Sequence, residues 1–307
     1  MTTGSSRPTA LVRAALTPAR RPLDQRAFRR QLRAIAAGKA PSEAIDLTAH
    51  AGERTSMLVT HCRRIRAGAV QLHRLVNALD RSGSLRLAID GLGSRDHDVQ
   101  VQSVRILGAI RLEAAVPALE PLLASGNSKI RVAAARALGR IGGVRAADAL
   151  LRGLMWRRGP ALRLTLELAR AAPDLYVESK LTDDEHRRLR SSLALATGLR
   201  RRRTAVRGLC ALVESGSRNE RMTGARALGW IGGPEAATCL AYAMRDPDWQ
   251  IRSAAVRALG TFDQGDDDVL VFGLLDPEPR VRSAAENALT RRHRTRRNRD
   301  AKAVRWR

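Results

Sequence analysis

Four consecutive arginines, Arg200, Arg201, Arg202 and Arg203, and the triplet Trp156, Arg157 and Arg158 in "LMWRRGP" are the stretches whose residue types bring chemistry with them. A guanidinium stays charged at any physiological pH and offers a planar fork of donors that matches carboxylates and phosphates. An indole between arginines is a common interface anchor and stacks on a base or a ring. Like charges repel, so adjacent arginines have no structural need of one another, and the run at 200–203 points to an anion supplied from outside. For Trp156 there is a second reading, an indole folded back over the junction of two structural segments.

The residue types that carry catalysis are present but not assembled. His50, His61, His73, His97, His186 and His293 are scattered, and neither His61-Cys62 nor any other Cys/His grouping has zinc spacing. Asp96-His97-Asp98 reads as a helix cap. No phosphate-cradling glycine loop and no nucleophile elbow occurs. The sequence therefore assigns no catalytic residue, no metal and no cofactor. Cys62, Cys210 and Cys239 are odd in number and far apart in sequence, which argues against a disulfide framework and for a reducing, cytoplasmic setting. No window approaches a membrane span, and the arginine-broken start lacks a signal-peptide core.

These residues must be positioned by something regular, because "RVAAARALGRIGG" (131–143) returns as "RMTGARALGWIGG" (221–233) and, shortened, as "IRSAAVRALG" (251–260). Taking the small residue near the end of each copy as an anchor gives Gly108, Gly139, Ala169, Gly198, Gly229, Gly260 and Thr290, at spacings of 31, 30, 29, 31, 31 and 30. In the clearest copy Ile130, Ala133, Ala134, Ala137, Leu138 and Ile141 form the apolar stripe of an amphipathic helix. Gly142-Gly143 and Gly232-Gly233 supply the positive φ that ends it. A second apolar segment follows, such as "AADALLRGLM" or "AATCLAYAM", and "RDPDW" and "LDPEP" make the turn to the next copy, with Asp248 placed as a cap. One such hairpin is too small to bury its own apolar face, so the copies must stack. The expected fold is an all-α, right-handed α-solenoid. With aromatics at only 3%, its core must be close-packed Ala, Leu, Val and Ile.

The pattern "DPDWQIRSAAVRALG" resembles the HEAT repeats of the phycobilisome-lyase-like type over roughly residues 85–290. The resemblance implies helical hairpins and leaves function open, since such repeats serve lyases, hydroxylases, DNA-repair enzymes and plain binding modules. It also implies that Arg131, Arg190, Arg221, Arg252 and Arg282, eight residues before each anchor, form an internal ladder reaching acidic groups of neighbouring turns. Arg105, Arg136, Arg226 and Arg257, three residues before the anchor, lie about 140° further round the helix. Four arginines there make a cationic stripe able to meet a regularly charged surface, the alternative being a solvated face coloured by codon bias. Trp230 and Arg140 fall at matching helix ends, on the edge opposite Trp156, and Trp249 reads as a staple at a helix start. The His-Glu pairs that a HEAT-repeat di-iron hydroxylase needs are missing, Glu185-His186 having the reverse order.

The net charge is +25, and all but four of the 55 basic residues are Arg. Residues 1–57 read as a basic, largely flexible arm with a short helix in "QRAFRRQLRAIAAG", residues 58–290 as the solenoid with 58–92 as a degenerate capping hairpin, and 291–307 as a basic disordered tail. Thr182 with Glu185 reads as a capping box for a fresh helix. The function these features describe is non-enzymatic binding of an acidic macromolecular partner: an acidic protein first, a nucleic acid second, an anionic membrane surface third. The alternative is an enzyme, either a glycosylase-like solenoid or a lyase-type component, whose signature would be a buried carboxylate beside an aromatic-lined pocket. The residues assigned to anion binding are the four stripe arginines, Trp156, Arg157, Arg158, Arg200, Arg201, Arg202, Arg203 and Trp230.

Overall fold

A computed structural model of the chain describes residues 23–40, 43–66, 68–262 and 267–305. Every regular element among them is helical, and none of these helices is long and apolar enough to cross a membrane. The chain divides into two compact units, one up to Pro173 and one from Asp174.

The first unit contains α1 (Gln25–Ala37), α2 (Ala51–Cys62), α3 (Val70–Arg81), α4 (Ser84–Asp90), α5 (His97–Ala109), α6 (Val116–Leu119), α7 (Ser128–Ile141), α8 (Gly143–Met155) and α9 (Ala161–Ala171). Helices α5, α7 and α9 pack side by side as the first helices of successive hairpins. The second unit contains α10 (Tyr176–Thr182), α11 (Arg190–Leu199), α12 (Val206–Ser215), α13 (Arg218–Ile231), α14 (Pro234–Ala243), α15 (Trp249–Leu259), α16 (Asp268–Gly273) and α17 (Pro279–Arg305). There α11, α13, α15 and α17 form the corresponding row. All seven anchors fall near the ends of these first helices or, in α17, mid-helix, so the all-α solenoid of HEAT-like hairpins is the fold.

The anchors are small because helix backbones approach there. A Cβ on Gly108 would sit 2.6 Å from Ala137, one on Gly198 2.7 Å from Ala227, one on Gly229 2.7 Å from Ala258 and one on Gly260 2.5 Å from Ala288. Each contacted alanine lies two residues before the next anchor. At the hairpin corner, three residues past the anchor, Gly142 and Gly232 both turn through a positive φ of 72°, whereas Ala172 keeps φ −63°. In two copies an arginine takes that corner instead, Arg111 at φ 53° and Arg201 at φ 51°.

The ladder register is structural. Arg131 donates to the carbonyls of Ser125 (2.7 Å) and Gly126 (3.0 Å), Arg282 to those of Asp276 (2.8 Å) and Pro277 (2.9 Å), and Arg221 reaches the Asp246 carboxylate at 2.6 Å. Arg252 spans two turns, donating to the Asp246 carbonyl and to both oxygens of Asp276 at 2.7 and 2.9 Å. Asp248 and Asp96 cap their helices as expected.

Three expectations change. The described residues between 25 and 57 are not an arm: α1 buries Phe28, Leu32 and Ile35 against α3, and α2 runs through the supposed boundary at 57. The i, i+4, i+7 spacing of those three residues makes a core face that the surrounding arginines mask. The reading of residues 1–22 lies outside the described residues. The tail is helical to residue 305, because Arg292 bonds Asp267 and the Leu259 carbonyl at 2.7 Å each while Arg296 reaches Asp267 at 2.6 Å. Thr182 does not cap: it ends α10, and Asp183 caps the 3-10 turn Asp184–Leu189 by accepting from the Glu185 amide. Cys210 and Cys239 are free thiols, distant in sequence, that stand in hydrogen-bond contact on the neighbouring helices α12 and α14.

Candidate functional site

The stripe arginines lie on the open face of the first-helix rows, and in each unit they line a groove. In the first unit Arg105 from α5 and Arg136 and Arg140 from α7 border a groove of about 470 Å³, together with Arg63 and Lys129 over a floor of Val59, Val101, Val104 and Val132. Arg105 is half-buried and donates to the Ser56 hydroxyl at 3.3 Å, whereas Arg136 is exposed. Arg140 follows Arg136 by four residues, one helical turn along the same face, so the edge position assigned to it from sequence is part of the stripe.

This groove shares Val59, Arg63 and Arg140 with a second one of about 480 Å³, whose wall adds Arg111 and Arg170. Neither lining contains a carboxylate or an aromatic ring. Each of these four arginines stands at the C-terminal end of a helix, α2, α5, α7 and α9, where the helix dipole favours a cation and lets the fold tolerate them together. Burial, and then the charges of Arg63 and Arg170, hold Arg140 below the usual arginine value, with Glu167 opposing. Burial pushes the Cys62 thiol on the same wall up to about 12 against the pull of Arg111 and Arg140. Glu167 is the buried carboxylate of this region, 1% exposed, and it sits where other copies place the contacted alanine. Gly139 makes room for it, since a Cβ there would meet its Oε2 at 2.3 Å. Its oxygens take Arg170 at 2.6 Å and Arg163 at 3.5 Å.

In the second unit Arg226, Arg257 and Arg291 line a groove of about 560 Å³ together with Trp230 and Trp249. Trp230 stands one turn past Arg226, against Gly198. Trp249 stands two turns before Arg257 and carries the Arg280 guanidinium over its ring at 4.9 Å. Sequence reasoning missed Trp249 as a lining residue, although extending the Arg257 register backwards by eight residues leads to it.

The remaining assigned residues are elsewhere. Trp156, 65% exposed, caps the end of α8 beside the exposed Arg157 and Arg158, so the indole is not folded under a junction. The run at 200–203 is divided: Arg200 and Arg202 both pair with Asp174, Arg201 forms the left-handed corner, and Arg201 and Arg203 are the exposed members. Two of the four thus do have a structural partner. Asp183, Glu185 and His186 bring ligand atoms within 4.8 Å of one another, a cluster organised by the Asp183 cap and its 3.1 Å contact with His186.

Comparison with known families agrees with this architecture. The HEAT-repeat family model matches residues 85–169 and 177–260. No curated protein matches. Among solved structures, human deoxyhypusine hydroxylase in complex with glycerol is 19% identical, with 89% of this chain and 100% of that one covered and a TM-score of 0.36. An engineered protein is 21% identical over 92% of this chain and 88% of its own, at a TM-score of 0.31. The karyopherin Kap121p, bound to the extreme C-terminus of the protein phosphatase Cdc14p, is 15% identical over 92% of this chain and 37% of its own, at 0.43. With its matched stretches covering more than half of its length, the chain belongs to the family of HEAT-repeat proteins.

Proposed function

We propose that the protein is a non-enzymatic HEAT-repeat module that binds an acidic macromolecular partner, an acidic protein in the first place, along the arginine-lined faces of its first-helix rows. The observation that carries this reading is that the regularly spaced stripe arginines line a groove in each unit, with no carboxylate among the residues lining it. An unneutralised row of guanidiniums gives a long anion both its on-rate and its register. A buried carboxylate does exist, in Glu167, but both its oxygens are engaged by arginine and the adjacent groove has no aromatic lining, which weighs against a glycosylase-like enzyme.

The test is capture of partners from the native cell by the wild-type chain and by a variant carrying Arg136→Ser, Arg226→Ser and Arg257→Ser, each with and without nuclease. Nuclease-resistant acidic proteins, lost in the variant, are the expected result. A second reading, nucleic acid, is favoured by one specific feature, Trp230 and Trp249 beside the arginines of the second groove. Stacking on such rings contributes about 1–3 kcal/mol per base. On that reading capture disappears with nuclease, and duplex affinity falls with log salt at a slope of about −0.9 per phosphate contact. Failure to bind any polyanion at low salt overturns both.

A further inference from the structure

The pocket at the end of the first unit's row goes beyond a charged surface. Arg63, Arg111, Arg140 and Arg170, contributed by the ends of four different helices, line one cavity of about 480 Å³, and no carboxylate lines it with them. Three independent features mark it. First, Arg111 keeps a buried Nη1 with no hydrogen-bond partner among the described residues, a costly omission for a charged donor unless a ligand supplies the acceptor. Secondly, Arg111 occupies a hairpin corner at φ 53°, as Arg201 does at φ 51° in the other unit, and at this corner the arginine side chain forms part of the cavity wall. Thirdly, Gly142 and Gly143 line the same cavity and begin α8, a helix of 13 residues with no capping side chain and no acidic residue in its first turn. Its free amides and positive dipole end suit an anion.

We infer that this pocket is a specific binding site for a phosphoryl group, held by Arg63, Arg111, Arg140 and Arg170 together with the uncapped start of α8. A planar carboxylate is satisfied by one guanidinium fork, whereas donors converging from four helices and a helix N-terminus match a tetrahedral dianion with several oxygens to satisfy. Glu167 is a positioning residue in this arrangement: it holds Arg170 at 2.6 Å. The site does not depend on which macromolecule the grooves bind.

The test is calorimetric titration of the full chain with inorganic phosphate and, separately, with glycerol 3-phosphate, at an ionic strength held constant with chloride. Saturable binding of one phosphoryl group per chain is expected. Binding of the ester as well as the free ion assigns the site to a phosphomonoester, and binding of the free ion alone assigns it to inorganic phosphate. Arg111→Gly keeps a residue suited to the corner and is expected to melt no lower than the wild type without phosphate, yet to bind phosphate about tenfold more weakly or worse. Arg63→Gln, a change at an exposed side chain, provides the same reading should Arg111→Gly fail to fold. Arg136→Ser, in the adjoining groove but not in this pocket, is expected to bind phosphate as the wild type does. The inference is overturned by heats no larger than those of chloride dilution, by undiminished binding in Arg111→Gly or Arg63→Gln, or by equal weakening in Arg136→Ser, which would mean diffuse charge. Partner capture by the grooves is read separately, so either conclusion can fail without the other.

Discussion

Asp276 opens the turn before α17, as Asp246 does before α15, whereas Asp248 closes its turn as the cap of α15, and the ion pairs of Asp276 and Asp248 differ mainly in water. The Arg252 fork meets Asp276 at 2.7 and 2.9 Å with side chains 14% and 10% exposed, whereas Arg218, which meets Asp248 at 2.5 Å, is 57% exposed. Asp276→Asn is therefore expected to cost about 1–3 kcal/mol, and Arg218→Ala less than about 1 kcal/mol. The hydrogen bond from Arg252 holds the Asp276 carboxyl below its ordinary value. Its contribution is thus complete above the unfolded value of about 3.9 and vanishes as pH falls through the lower folded value. Melting temperatures of the wild type and Asp276→Asn are expected to differ at pH 6 and to converge below about pH 4; a gap that persists at pH 2 would show that the pair is not its source. Glu167 presents the opposite asymmetry. It is the buried partner, while Arg170 is 60% and Arg163 35% exposed and can be hydrated. Glu167→Ala restores the alanine of the other copies and is expected to leave stability within about 1 kcal/mol, whereas Arg170→Ala leaves the buried carboxylate poorly paired and is expected to cost about 3 kcal/mol. Equal losses in urea unfolding would refute this account.

At the scale of the element, the period carries most of the information. A small residue recurs every 29–31 positions, and at Gly108, Gly198, Gly229 and Gly260 the next first helix crosses at backbone distance, so substituting one of these tests the crossing. Gly229→Ala would place a Cβ 2.7 Å from Ala258, and Ala134→Leu would add a branched chain at a fully buried position. Each is expected to cost about 1–3 kcal/mol by overpacking, read as a lower melting temperature with unchanged helical circular dichroism; an unaltered melting temperature would mean that the rows pack through other residues. What repeats was legible in the sequence: hairpins, corners, caps, the ladder and the stripe. What departs from the repeat was not. Arg111 in a glycine's corner, Glu167 in an alanine's register and Trp249 two turns before Arg257 are departures whose meaning depends on which faces meet. Helix α1 escaped because one buried stripe of three residues is hard to see among five arginines in "RPLDQRAFRRQLRAIAAG".

For the whole molecule the question is how much of a chain with a net charge of +25 belongs to its core. The sequence reads both ends as flexible segments outside the solenoid, yet both carry buried groups. Phe28, Leu32 and Ile35 are 4%, 1% and 1% exposed. Burying each stabilises by about 1.5–3 kcal/mol as an upper bound, which together approaches the whole stability of an ordinary domain, about 5–15 kcal/mol. At the other end Arg292, 3% exposed, satisfies both the Leu259 carbonyl and Asp267. A chain trimmed to residues 58–290 is accordingly expected to melt far below the full chain and to bind a dye for exposed apolar surface. Removing residues 291–307 alone is expected to cost about 1–3 kcal/mol, through the unpaired Leu259 carbonyl and Asp267. Cooperative melting of the 58–290 chain at the full-length temperature would show that α1 and α2 only rest on the stack, and that its first unit is complete from α3 onward.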